Sequence, residues 1–510
     1  MTDSMGEATA DSTRVPPATR VASLGGHALL YALGNILSKA VAFVMLPVYT
    51  RYLSPADYGV AALIEMTLDV VTIAAGAQLA QGVFRFYHKA ETEVERREVI
   101  STTLASLAVS FGLMGSVVFL GADPLAELVF GTPEHAGLVR LAALNLCAQG
   151  AIVVPLAFAR VQERSGLVVG ATIVKLLVAV GLNLLLIVKA RMGVQAIFVS
   201  TLVSNLVIGC WLSAWTVRRV GLTFRPHVLR ALLRYGVPLM AVQGATFLMT
   251  FSDRYFLQAW ADETAVGLYN LAYQFGFLLL MVGFVPLDMI WGARRFQVAK
   301  TVDPGPALAT MFRLINLSVV TVGLGIALLV GDVLHVMSTA PFHPAAALVP
   351  VILVAYLLHG WAMLHDVGVL VRERTELLMI ANWVAAAVAI IAFAVLIPRF
   401  VAFGAAIAAI LAFGVRWSLT YHFSQRIWPI RYEWTPIWWT LGAAALVWTL
   451  ATLVSIGSPP LALLADIGFL GVYFVLIWNL PILRVEERVR FLRALRARLS
   501  GRPADAIVRD

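Results

Sequence analysis

Runs of about 20 apolar residues, each bounded by a few polar ones, recur along almost the whole chain. A helix needs roughly 20 such residues to cross a hydrocarbon layer about 30 Å thick, and the pattern meets that length fourteen times. The first six predicted spans lie at 28–49, 58–83, 100–121, 137–159, 167–188 and 194–216. The next six lie at 235–258, 266–292, 307–330, 345–370, 376–398 and 403–424, and a final pair at 437–457 and 461–480. Only the short turn Ser458-Pro459-Pro460 separates that last pair.

Composition points the same way. The chain is 60% hydrophobic and 13% charged, against about 25% charge in ordinary soluble domains. So much apolar matter exceeds one soluble core, and lipid is the expected solvent. The net charge of +9 raises the question of a nucleic-acid partner. Arg and Lys fall in short clusters between apolar runs, not along one basic face, and no nucleic acid is expected. Residues 1–26 are polar with no apolar core, a disordered cytoplasmic tail and not a signal peptide. Cys147 and Cys210 each sit inside an apolar run, with neither disulfide nor metal spacing, and read as packing residues.

The cations set the orientation. With the N-terminus inside, the inner turns and both tails hold about 28 of the 38 Lys and Arg residues. The outer turns hold about four, Arg51, Lys189, Arg191 and Arg399. Both termini are therefore expected in the cytoplasm, and the protein in a bacterial inner membrane. Trp260, Trp434, Trp438 and Trp439 lie near span ends and suit an interfacial belt. Val485, Val489, Leu492, Leu495 and Leu499 recur at helical spacing opposite arginines, which predicts an amphipathic helix on anionic inner-leaflet lipid. The segment 217–234 also has amphipathic spacing.

The two halves share polar marks. Span 1 runs out through Arg51-Tyr52-Leu53-Ser54-Pro55-Ala56-Asp57-Tyr58-Gly59, and span 7 through Asp253-Arg254-Tyr255 to Val266-Gly267-Leu268-Tyr269. Further on, Glu163-Arg164-Ser165 aligns with Glu373-Arg374-Thr375. Six spans per copy is an even number, so the copies enter the membrane in the same direction, as a parallel repeat around a central cavity. The expected fold is all-α and polytopic. Its segments are a tail 1–26, a six-helix bundle 27–216, a cytoplasmic linker 217–234, a second bundle 235–424, two added helices 425–480 and a basic tail 481–510.

These motifs, with Tyr235-Gly236-Val237-Pro238-Leu239 opening the second half, resemble the polysaccharide-transport branch of the multidrug/oligosaccharidyl-lipid/polysaccharide exporter superfamily, the Wzx-type flippases. The resemblance implies a flippase that moves undecaprenyl-diphosphate-linked oligosaccharide to the periplasmic leaflet by alternating access, for O-antigen, capsule or exopolysaccharide. It also implies a polysaccharide polymerase and a chain-length regulator as partners. Fourteen spans departs from many such members and is shared with the lipid II flippases, so a lipid II substrate stays open. So do a cation-coupled drug exporter of the same fold and a membrane polysaccharide ligase or polymerase. The last would need a large outer loop; the longest outer turns, 122–136 and 331–344, contain no Lys or Arg, and His335 and His343 read as isolated.

No nucleophile–base arrangement, metal spacing or nucleotide-binding glycine loop stands out, so neither enzymatic activity nor a cofactor is expected. The informative residues are ions inside spans, each costing about 2.5–3.5 kcal/mol at mid-bilayer if it faces lipid. Lys39 lies mid-span with Asn35 one turn earlier, and Glu65 and Asp69 share a face of span 2. Lys39 and Asp69 read either as a buried pair or, with Lys39 on a substrate phosphate, as a switching one. Lys175 reads as a cavity cation or a snorkelling one. Asp253 and Arg254 read as an ion pair at the outer gate, and Arg140 and Arg313 as snorkelling or cavity residues. Asp288, Asp366 and Arg416 read as solvated span ends, and His365 as a satisfied interfacial residue. Pro238 and Pro286 mark bends.

Overall fold

A computed structural model describes residues 43–454, 459–482 and 488. The tail 1–26, most of span 1 with Asn35 and Lys39, and all but a few positions of the basic tail lie outside the described residues. Among those described there is no strand. In chain order the helices are α1 (Leu46–Tyr52), α2 (Pro55–Ala74), α3 (Leu79–Lys89), α4 (Glu93–Leu120), α5 (Ala122–Phe130) and α6 (Ala136–Val161). Next come α7 (Ser165–Leu184), α8 (Gln195–Val220), α9 (Pro226–Phe251), α10 (Asp253–Trp260), α11 (Glu263–Leu279) and α12 (Val285–Val298). The last six are α13 (Gly305–Met337), α14 (Val349–His365), α15 (Val367–Val371), α16 (Glu376–Ile427), α17 (Trp434–Leu453) and α18 (Pro459–Asn479).

Eleven helical stretches among the described residues are long and apolar enough to cross a membrane. One of them, α16, has 52 residues and would be about 78 Å long if straight, more than twice the hydrocarbon thickness. It contains two crossings, joined where Val401 leaves the helical region at φ 48°. Its alanines explain its packing. Ala381, Ala385 and Ala389, then Ala405, Ala408 and Ala412, are all fully buried. In lipid, close approach of small side chains holds helices together, because tails are as apolar as leucine.

Span 2 is not one helix. The chain breaks between α2 and α3, where Gly76 has φ +86°. The carbonyl of Ala75 freed there accepts a hydrogen bond from Ser110 Oγ at 2.7 Å. Segment 217–234 is not a separate element either. Helix α8 runs through Val220, Gly221 turns at φ +75°, and α9 begins at Pro226. Pro238 lies inside α9, while Pro286 opens α12 just past the π-turn Leu280–Phe284, where its missing donor is least costly.

The repeat has a backbone signature. Glu163 and Glu373 both have φ 56°. After α6, Arg164 N donates to Ala159 O at 2.9 Å and Glu163 N to Arg160 O at 2.9 Å. After α15, Arg374 N donates to Val369 O at 3.0 Å and Glu373 N to Leu370 O at 3.1 Å. Both helices thus end in the same Schellman motif, with glutamate where glycine is usual. At the opposite turns Arg191 and Val401, separated by the same 210 positions, are both left-handed, at φ 52° and 48°.

The described chain divides into two compact units. One contains Ala74–Ala122 and Gly137–Pro238; the other contains Leu46–Ile73, Asp123–Ala136 and the described residues from Leu239 onward. The turn ahead of α2 therefore groups with the second half of the chain, and the change of unit falls at the α2–α3 break. Helices α17 and α18 pack on α13 within the second unit through Leu324, Leu328, Val447, Tyr473 and Ile477.

Candidate functional site

The turn ahead of α2 is built by a reciprocal cap. Ser54 N and Oγ both donate to Asp57 Oδ2 at 2.8 Å, and Asp57 N donates to Ser54 Oγ at 3.1 Å. With Pro55 at the first helical position, the sequence Ser-Pro-Ala-Asp fixes where α2 starts. In the second copy Asp262 caps α11, accepting from Ala265 N at 2.7 Å. Glu263 beside it meets His135 Nε2 at 2.9 Å.

Along α2, polar side chains tie it to the helices of the second half. Gln274 Nε2 donates to Tyr58 Oη at 2.6 Å, and the hydroxyls of Thr67 and Tyr255 lie 2.9 Å apart. Ala62 and Met66 pack on Phe247, with Phe251 and Tyr255 alongside. Glu65 and Asp69 stand on the exposed side, one turn apart.

Asp253 and Arg254 form a fully buried ion pair at 2.8 Å. Asp253 also accepts from Tyr269 Oη at 2.7 Å. The guanidinium donates to Thr250 O at 3.2 Å and lies 4.2 Å from the ring centroid of Tyr273. Every element of this cage belongs to the second unit, and the pair fastens α10 to α11.

A second polar group joins α12, the C-terminal end of α14 and α16. Arg295 on α12 pairs with Asp366 at 3.1 Å, and Arg416 on α16 donates to His359 Nδ1 at 3.0 Å. Partners, and not solvation alone, account for Asp366 and Arg416. His365 is fully buried, not interfacial: Nδ1 donates to Trp361 O at 2.7 Å and Nε2 has no partner among the described residues. Its ring sits among Phe312, Tyr421, Tyr432 and Trp434, the last stacked at 3°. Trp434 therefore joins a packed aromatic cluster, whereas Trp260, Trp438 and Trp439 stay exposed. Burial pushes the Tyr432 phenol, in the turn between α16 and α17, well above its ordinary pKa.

An apolar pocket of about 490 Å³ opens between α13, α14 and α17, lined by Leu279, Val320, Leu324, Leu353, Leu441 and Trp448 among others. Among the described residues no three His, Cys, Asp or Glu side chains group as a metal site.

A family model described as polysaccharide biosynthesis protein matches residues 24–289, just over half of the chain. The chain belongs to this family. The succinoglycan biosynthesis transport protein ExoT of Rhizobium meliloti (strain 1021) is 26% identical over 254 residues, 47% of this chain and 48% of that protein. The lipid III flippase of Escherichia coli (strain K12) is 34% identical over 93 residues, 18% of this chain and 22% of the other. The match thus spans about half of the first relative's length and about a fifth of the second's. Among solved structures, the lipid II flippase MurJ in an inward closed conformation superposes with a TM-score of 0.72 at 10% identity, covering 88% of this chain and 99% of that one. An inward-facing multidrug resistance MATE family transporter of the MOP superfamily gives 0.60 at 15% identity, covering 78% and 94%. This family member is a multi-pass inner-membrane protein with the fold shared by MurJ and the MATE transporters.

The expected site residues do not gather in one place. Asp253 and Arg254 are a closed pair, and Arg313 is buried against Glu433 at 2.9 Å, beside the entry to α17. Arg140 is half-buried near the start of α6. Lys175, on α7 in the first unit, is half-buried between the exposed Val174 and Leu177, with no ion pair among the described residues. Sequence reasoning missed His359, Arg295 and Gln274, whose partners are distant in the chain. It also took His335 and His343 as isolated, yet their rings stack at 4.1 Å where α13 meets the 3-10 turn Ala340–Leu348.

Proposed function

We propose that the protein is a flippase that carries a lipid-linked oligosaccharide, on an undecaprenyl diphosphate carrier, from the cytoplasmic to the periplasmic leaflet by alternating access. The observation that carries this reading is the match over residues 24–289 to a polysaccharide biosynthesis family. The names of the relatives, a succinoglycan transport protein and a lipid III flippase, support it. The segregation of cations supports an arrangement with both termini in the cytoplasm. In this reading the working parts are two six-span halves with α17 and α18 added.

The chemistry of the substrate divides over the candidate residues. A diphosphate needs cations, and Lys39 and Lys175, with Arg140 in reserve, are assigned to it; Arg313 is already taken by Glu433. The sugars need hydroxyl, amide and carboxylate partners, which Asn35, Glu65 and Asp69 offer; Asp253 and Arg254 fasten α10 to α11. The pocket between α13, α14 and α17 lies within membrane spans and is walled by hydrocarbon, which suits a stretch of the carrier's prenyl chain. Transport of a defined lipid-linked oligosaccharide into reconstituted vesicles tests the reading. Wild-type protein is expected to expose the sugar on the far leaflet, and a Lys39→Ala/Lys175→Ala variant that inserts normally is expected not to. Equal transport by both overturns the phosphate assignment, and none by the wild type overturns the function.

A further inference from the structure

The outer turns of the two halves carry the same Tyr and Gly, and the structure brings the two glycines together. A Cβ placed on Gly59 would lie 2.0 Å from Glu263 O and 3.0 Å from Gly267 N. One placed on Gly267 would lie 1.9 Å from Pro55 O and 3.0 Å from Gly59 N. The contact is reciprocal: Pro55 and Gly59 on α2 meet Glu263 and Gly267 on α11, and both pairs are 208 positions apart. Repeat-equivalent residues therefore meet around a local pseudo-two-fold axis.

Neither glycine has a positive φ, so conformation does not demand glycine here. Each sits inside a helix, where glycine costs about 1 kcal/mol relative to alanine. Space is the remaining reason: backbone meets backbone with no room for a methyl group. Close contact of this kind is ordered but adds no side-chain interlock. The flanking contacts are the Tyr58–Gln274 and Thr67–Tyr255 hydrogen bonds, the partly buried His135–Glu263 pair and the packing of Ala62 and Met66 on Phe247.

The other end of α2 has what a moving helix requires. It stops at Ala74, the chain turns through Gly76 at φ +86°, and α3 restarts at Leu79. Ser110 Oγ holds the freed Ala75 carbonyl, so the break is hydrogen-bonded and stable. The compact unit to which the chain belongs changes at this same point.

We propose that Gly59 and Gly267 form the closing contact of an outer gate, which opens when α2 pivots at Gly76 away from α11. The proposal rests on the transport reading and on its orientation. In this state α2 is docked and the gate is closed. Opening exposes the α2 face that now packs on Phe247, including Met66.

The test uses full-length protein in cells, with Cys147→Ala and Cys210→Ala removing the native thiols and Met66→Cys reporting on the packed face. A membrane-impermeant maleimide added outside should label Met66→Cys slowly, and at least about tenfold faster when Gly59→Ala or Gly267→Ala is added, the change that about 1.4 kcal/mol against the closed state would give. Gly112→Ala, at a position with nothing within 4 Å, should leave the rate unchanged. An unchanged rate in both glycine variants at normal expression overturns the proposal. Should those variants fail to accumulate, Thr67→Cys/Tyr255→Cys joined by a cleavable bifunctional reagent should stop transport, and cleavage should restore it. Transport through the intact link overturns the gate. The labelling result does not depend on what the protein carries, so a failed transport reading and a failed gate are distinguishable.

Discussion

Truncating Asp253 tests how far the buried cage depends on its ion pair. The Asp253→Ala substitution leaves Arg254, 1% exposed, without its carboxylate. Removing one partner of a buried pair costs about 3–5 kcal/mol, because the remaining charge stays desolvated. Arg254 keeps the Thr250 carbonyl at 3.2 Å and the face of Tyr273 at 4.2 Å, which puts the loss near the lower figure, about 3 kcal/mol. The Tyr269 hydroxyl, which donates to Asp253 at 2.7 Å, loses its acceptor and adds about 1 kcal/mol. The expected total is about 4 kcal/mol. The assay is denaturant unfolding of the purified protein in detergent micelles, run as a double-mutant cycle with Arg254→Met. The double variant removes both charges and is expected to lose less stability than Asp253→Ala alone, a coupling of at least about 2 kcal/mol. Losses that simply add, or an Asp253→Ala cost below about 1 kcal/mol, refute the reasoning.

Two further outcomes follow from the backbone and the topology. Glu163→Gly and Glu373→Gly each remove a non-glycine residue from φ 56° and should raise stability by about 0.5–1 kcal/mol, read as a shift in unfolding midpoint; a loss would mean that the carboxylates do more than fill the turn. A cysteine at Ser54, in the exposed cap of α2, should react with an impermeant thiol reagent on intact cells, and reaction only after lysis would reverse the orientation.

Much of this fold was legible because lipid imposes a length. A backbone that cannot bond to solvent must close its own hydrogen bonds, so about 20 apolar residues in a row translate directly into a helix. The repeat was legible for a similar reason, since polar turn residues are costly to misplace. What remained hidden depends on distances that no local pattern encodes. The break at Gly76 falls inside a run that reads as uninterrupted, because Ser110 supplies the missing bond from another helix. The two crossings of α16 were legible as spans 376–398 and 403–424, but not that Val401 would carry the turn between them in place of a glycine. Asp366 read as a solvated span end, and Arg295, 71 positions earlier in the chain, is its partner. His335 and His343 read as isolated because a helix end and a 3-10 turn fold them face to face.

The repeat shows how a shared mark in sequence becomes a shared constraint in structure. At Glu163 and Glu373 the two copies keep the same strained turn at separate places, which says only that each half solves the same local problem. At Gly59 and Gly267 the equivalent positions meet each other. A duplicated helix start that packs on its own copy must accept any change twice, once on each side of the contact. A methyl group at either glycine would strike a backbone carbonyl of the other copy, and no rotamer change can relieve that overlap. The helix pattern alone favours alanine at both positions. The contact between the copies overrides it, and the turn ahead of α2, although it belongs to the first half of the chain, groups with the second.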